Sequence, residues 1–238
     1  MNFGSIDLAV SAEDEDENTL VLNTTGNAPL NTPDMSGFVD LVALEAFHRV
    51  GVKVKSVKLP AERGLKNANL GIEDGEMLRI GGLDKLYTNL IMVPEKIMDG
   101  VFVAFSKKNI DVSQGWSSLT PYSIIFINGW KILERNVPPS ANVVKVRTYD
   151  QLFPMLDLDR ADVALYEQWG GLYILSGMKQ SSIKKLDPPL ASVGLYMYLN
   201  KKHEALVPQV AAALKQMKAD GSYQHLVDRI LTPLTQPH

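Results

Sequence analysis

Cysteine is absent from the 238 residues. That excludes disulfides, thiolate nucleophiles and Cys-held zinc, and leaves the compartment open. Long basic runs are also absent. Lys184-Lys185 and Lys201-Lys202 read as isolated pairs in solvated turns, and the net charge is -3 with a pI near 5.8. A chain of that charge has no stripe to track a phosphate backbone, so nucleic acid is not expected as a partner. No stretch reaches the roughly 20 apolar residues of a membrane-crossing helix. The sequence has no G-x-G-x-x-G after a strand, no G-x-x-x-x-G-K, no G-x-S-x-G and no H-E-x-x-H. Its histidines are His48, His203, His225 and His238. None pairs at ligand spacing, so each reads as a surface residue, and no metal or other cofactor is expected.

What remains is ordinary globular composition, 45% hydrophobic and 21% charged. The length suits one large domain or two modest lobes. The start, MNFGSIDLAVSAEDEDENTL, is apolar and small up to Ala12, but Asp7 interrupts it and acids crowd from Glu13 to Glu17. Residues 1–17 therefore read as a flexible acidic lead-in or the remnant of a leader, and no leader is clearly visible.

Alternation and helical spacing then give an α/β series. TLVLN (Thr19 to Asn23) is a strand and TTGNAPLNTPDMSG a loop. Phe38 to Val50 is a helix, with Val39, Val42, Ala43, Ala46 and Val50 on one stripe and Gly51 at its end. VKVKSVKL is a half-buried strand, Arg63 to Leu70 a short helix, and Leu90 to Val93 and Val101 to Phe105 are strands. A second series runs through the strand SIIFI (Ser123 to Ile127), the helix NGWKILERN and the strand VVKVR. Thr148 with Gln151 predicts a capping box before a helix that buries Tyr149, Leu152, Phe153 and Leu156. ADVALY, the helix EQWGGLYILSG and the strand VGLYMYL follow. The end is two helices, the first carrying Leu206, Val210, Ala213, Leu214 and Met217 on one face. Two parallel sheets joined by crossing strands would leave a cleft, a common ligand site.

NLGIEDGEMLRIGG, from Asn69 to Gly82, packs acids and an arginine among glycines. It is either surface filler or one wall of a site that grips a charged small molecule. Asp157 and Asp159 form a carboxylate pair, which near a turn reads as capping or solubility.

The order LVLNTTGNAPLN, MSGFVDLVALEAFHRVGVKVKSVKLP, QLFPMLDLDRADVALYEQ and VGLYMYLNKKHEALVPQVAAALKQMKADGSYQHLVDRIL resembles the solute-binding proteins of bacterial amino-acid-type ABC importers, bacterial extracellular solute-binding protein family 3, in a divergent branch. The resemblance covers Leu20 to Leu231. It implies an α/β, two-lobed periplasmic-binding-protein-like fold of type II, each lobe a sheet flanked by helices. Residues 18–104 with 194–238 would form lobe one and residues 105–193 lobe two. Strands near Val101 to Phe105 and Val193 to Leu199 would form the hinge.

The resemblance also implies site residues, each with a structural alternative. Asn23, Thr25 and Asn27 would offer amides and hydroxyls to a ligand, or form a plain polar turn. Asp74, Glu76 and Arg79 stand where amino-acid binders carry a different turn. There Arg79 would fork onto an anionic group, or else pair internally with Asp74 or Glu76. Asn128, Gly129 and Trp130 would open a helix whose amides take a carboxylate, with Trp130 either stacking on ligand or half-buried between lobes. Glu167 would meet a ligand amine, or simply favour its helix dipole, while Asp162 reads as a structural turn acid. The expected function is capture of a small anionic or zwitterionic solute between Arg79 and the Asn128 helix start. Delivery to a membrane permease follows, from a periplasmic monomer without catalysis. The rivals are a sensing module for a signalling partner, or a dehydratase-like enzyme on the same scaffold with Glu167 as its acid.

Overall fold

The computed structural model describes residues 19–178 and 181–235. The predicted lead-in, residues 1–17, lies outside them.

In chain order, β1 is Thr19–Thr24, α1 Phe38–His48, β2 Lys53–Lys58, α2 Ala61–Leu70, β3 Gly75–Ile80, β4 Leu90–Met92 and β5 Met98–Ser106. Then come β6 Ser123–Ile127, α3 Lys131–Asn136, β7 Asn142–Val146, α4 Tyr149–Asp157, β8 Val163–Glu167 and α5 Gln168–Gly177. The chain closes with β9 Lys184–Lys185, β10 Ala191–Asn200, α6 Val207–Ala219 and α7 Ser222–Ile230.

Each lobe is built on parallel strands. β1 lies between β2 and β3, parallel to both, and β6 lies between β7 and β8 in the same way. The long strands β5 and β10 run antiparallel to each other, pairing Ala191 with Phe102 through to Leu195 with Met98. β10 also pairs with β3, and β5 with β8. The sequence suggested two sheets joined by crossing strands. The crossing strands in fact pair with each other over Ala191–Leu195 and Met98–Phe102, so the order β2-β1-β3-β10-β5-β8-β6-β7 is continuous.

Burial explains the elements. α1 lays Phe38, Val39, Val42, Ala43, Ala46 and Phe47 against Leu22, Met77 and Met197, and α6 adds Val210, Leu214 and Met217. Gly51 sits at φ 73°, where only a residue without a β-carbon turns cheaply. On β6 the side chains alternate as a strand requires. Ile124 and Phe126 join Leu133 and Leu165 on one face, while Ile125 joins Phe105, Phe153 and Tyr166 on the other. Lobe two thus carries a core on both sides of its sheet.

The capping box predicted at Thr148 is not made. The Thr148 side chain caps nothing, and Gln151 Oε1 instead accepts from Arg147 N at 3.0 Å. The glutamine reaches one residue further back than the box requires.

Candidate functional site

The C-terminal ends of parallel strands are where open α/β sheets leave room for ligands. Here the loop after β1 and the end of β2 face the start of α4 across a cavity of 460 Å³. Thr24, Gly26, Asn27, Ala28, Asn31, Thr32 and Pro33 come from the loop, Ser56, Val57 and Lys58 from β2, and Tyr149 from the other lobe.

A buried polar chain holds the loop in shape. Thr24 Oγ1 donates to Asn31 Oδ1 at 3.0 Å and accepts from Gly26 N at 3.0 Å. Asn31 Nδ2 donates to Asp40 Oδ1 at 2.7 Å, and the other Asp40 oxygen accepts from Thr32 N at 2.7 Å. Asp40 is fully buried at the start of α1, and these donors are what make a buried carboxylate tolerable.

Asn27 sits at the edge of the cavity. Its Oδ1 accepts from Lys58 Nζ, and its side chain lies close to the Tyr166 hydroxyl of β8. Tyr166 stacks on Trp130 with centroids 4.8 Å apart, and Trp130 meets Phe102 edge-on at 5.8 Å. Burial, and then the neighbouring Glu167 charge, push the Tyr166 phenol up, so it stays protonated and able to donate.

The other residues singled out by sequence lie elsewhere. Asn23 is fully buried beneath α2, where its Nδ2 donates to Gly64 O at 3.0 Å. Thr25 is half-buried in the loop but outside the cavity lining. Asp74 accepts from Val21 N at 2.7 Å and contacts Lys202 Nζ at 2.8 Å and His203 Nε2 at 2.7 Å. It ties the start of β1 to the turn after β10, and His203 therefore has a partner rather than a free surface.

Arg79 takes the internal alternative. Its Nε and Nη2 each donate to the Glu76 carboxylate at 2.9 Å, and Nη2 also donates to Ala61 O at 3.2 Å. The Glu76 side chain is fully buried and that of Arg79 is 12% exposed. Burial raises the Glu76 carboxyl, and Arg79 pulls it back.

Asn128 and Gly129 are exposed, and Trp130 is half-buried, packed on both hydrophobic clusters of lobe two. The Gly129 amide is taken by Glu134 Oε1 at 3.1 Å, and Glu134 also accepts from Lys131 at 2.8 Å and Lys145 at 3.1 Å. Lys131 foremost, then the Gly129 amide and Lys145, hold the Glu134 carboxyl at about 2. Glu167 caps α5, its two oxygens accepting from Trp169 N at 3.0 Å and Gly170 N at 2.9 Å. Desolvation pushes it up to about 7 against those two donors. Asp162 binds Ser123 N and Oγ and Lys108, a structural acid held at about 2.

Of the ten residues proposed from sequence, only Asn27 lines the cavity; Trp130 stacks on Tyr166 outside the lining, and Glu167 caps α5. Lys58, Tyr149 and Tyr166 were missed. Lys58 had a signal, since it ends a predicted parallel strand on the ligand side. Tyr149 and Tyr166 read as core by their spacing.

Gly64 shows how tightly α2 presses on the sheet. A β-carbon there would lie 2.5 Å from Asn23 Oδ1 and 2.8 Å from Glu76 Oε1. Gly64→Ala is expected to lose about 1–3 kcal/mol to overpacking, more than the roughly 1 kcal/mol gained in helix propensity. Urea unfolding checks this, and an unchanged or higher midpoint contradicts it.

No family model matches the chain. An uncharacterized protein of Shewanella oneidensis is 27% identical over 198 residues, 79% of this chain and 73% of that protein. Among solved structures, ArgBP of T. maritima superposes with a TM-score of 0.72 at 17% identity, covering 90% of this chain and 96% of that one. An ancestral amino acid-binding protein, a precursor of cyclohexadienyl dehydratase, gives 0.72 at 20% identity, covering 90% of this chain and 96% of that one. The GluR0 ligand-binding core of Nostoc punctiforme, in complex with L-glutamate, gives 0.72 at 15% identity, covering 89% of this chain and 98% of that one. These likenesses show the fold: the chain is a two-lobed protein of the type II periplasmic-binding-protein architecture.

Proposed function

We propose that the chain belongs to the amino-acid-type solute-binding family its sequence resembles, and that it captures a small solute between its lobes. Residues 19–104 with 194–235 form one lobe in this reading, and the described residues of 105–193 the other. The observation that carries it is the 460 Å³ cavity, which draws its lining from the β1–α1 loop on one side and Tyr149 on the other. That volume suits a small molecule, and a ligand touching both walls favours the closed form over the open one. Asn27, Lys58 and Tyr149 would contact it, backed by the Tyr166–Trp130 stack. Release to an importer permease, from the periplasm, follows from the same resemblance.

Native mass spectrometry of the purified chain, with thermal shift against small acids and amino acids, tests capture. One bound molecule per chain and a rise in Tm are expected. Tyr149→Ala should weaken that binding tenfold or more, because it removes the wall from one lobe. Binding that Tyr149→Ala leaves intact places the ligand elsewhere.

One observation favours a second reading. A glutamate carboxyl raised to about 7 can give up a proton at neutral pH, and a structural neighbour is a precursor of cyclohexadienyl dehydratase. Glu167 is absent from the cavity lining, which favours binding over turnover. Conversion of a prephenate-like acid, lost in Glu167→Gln, would reverse that order.

A further inference from the structure

We infer that the captured solute is an organic anion without an ammonium group, held by Lys58, and not a free α-amino acid. This rests on the reading that the interlobe cavity is the binding site, and adds the chemical class of its occupant. A free α-amino acid carries a carboxylate and an ammonium on one carbon. Its site must supply donors for the first and an acid for the second. The cavity lining offers one cation, Lys58, and no acid.

The groups that would otherwise serve an amino acid are engaged by the chain itself. Arg79 gives two donors to Glu76, and the Gly129 amide and two lysines go to Glu134. Glu167 has each of its oxygens on an α5 amide. Asp40 lies behind the cavity wall, with Asn31 and the amides of Thr32 and Gly37 on its oxygens.

Lys58 differs from these. Its Nζ donates to the Asn27 amide oxygen, a neutral acceptor, at the cavity edge. An incoming carboxylate brings a full opposite charge to the ammonium where the Asn27 oxygen brings only a dipole, so an anion displaces Asn27 favourably. Displaced, Asn27 still lines the cavity and has an amide to offer the same ligand. Ala28, Pro33, Val57 and the Tyr149 ring give the rest of the cavity an apolar character that suits a short uncharged body.

The test uses the full chain and two matched series: the proteinogenic L-amino acids, and the acids left when each loses its amine (3-phenylpropionate for phenylalanine, glutarate for glutamate). Calorimetry and thermal shift are read on the native chain, on Lys58→Gln, and on Lys53→Gln at the far end of β2 as a control. At least one deaminated acid should bind tenfold or more tighter than its amino-acid partner. Lys58→Gln should weaken it tenfold or more, and Lys53→Gln should leave it unchanged. Amino acids binding as well as their deaminated partners, or Lys58→Gln binding the acid unaltered, overturns the inference. An amino acid that binds and draws the lobes together removes this inference and keeps the cleft reading. If neither series binds nor compacts the chain, both fall.

Discussion

Arg79→Ala is expected to destabilise the protein by about 3–5 kcal/mol at pH 7, because it strands a buried charge. Glu76 is fully buried, and Arg79 supplies two donors to it. A surface pair of the same geometry would contribute about 0–1 kcal/mol. Here the Glu76 side chain has no exposure to solvent and Arg79 is the cation paired with it. The adjacent Asn23 Oδ1, already without a partner among the described residues, adds no donor. At about 2–4 °C per kcal/mol for a chain of this size, Tm should fall by roughly 6–20 °C. The loss should shrink as pH falls, because a carboxyl raised by burial takes up a proton earlier than a free one. Replacing both partners, Glu76→Gln with Arg79→Met, should restore most of the stability, since a neutral pair leaves no charge to desolvate. Scanning calorimetry of the native chain and the two variants checks this. A loss under about 1 kcal/mol for Arg79→Ala would mean that the carboxylate is hydrated.

Glu167→Gln should change the shape of the stability–pH curve as well as its height. The Glu167 carboxyl titrates at about 7 in the folded chain against 4.5 when unperturbed. Below the lower value both states are protonated and the residue contributes nothing to pH dependence. Between the two, the folded state holds a proton that the unfolded state has released, so stability falls as pH rises. Above the higher value the cost is complete, about 3 kcal/mol. Glutamine carries no charge to desolvate, but one of its two side-chain ends cannot accept an α5 amide, a loss of about 1 kcal/mol at every pH. The variant should therefore be the less stable form near pH 4 to 5 and the more stable near pH 8, the curves crossing in between. Parallel curves would mean that Glu167 is hydrated and titrates normally.

Much of the fold was legible because burial acts through local spacing. The β6 run SIIFI and the helix from Phe38 appear where alternation and the apolar stripe put them, and Gly51 turns the chain as expected. What spacing does not encode is pairing between distant residues. Nothing in EDGEMLR distinguishes an arginine that faces solvent from one folded back on Glu76. That outcome depends on α2 lying over β3, so that Ala61 O and the closed space around Gly64 favour the internal pair. The same holds for Glu134, three residues into α3, which turns back to claim the Gly129 amide and two lysines. The first was legible as a charge cluster and the second only as a helix start, and both turned out to be self-satisfied. The cavity was harder to foresee. Its lobe-two wall, Tyr149, carries the periodic signature of a core residue, and its one cation lies at an exposed strand end that spacing does not tell from Lys53 and Lys55 of the same strand.

The hinged capture of a small anion is tested most directly by small-angle X-ray scattering of the full chain, with and without a saturating deaminated acid that calorimetry has shown to bind. A smaller radius of gyration in the bound sample, absent in Lys58→Gln at the same acid concentration, is the predicted result. Superimposable scattering curves for the native chain at saturation would contradict it.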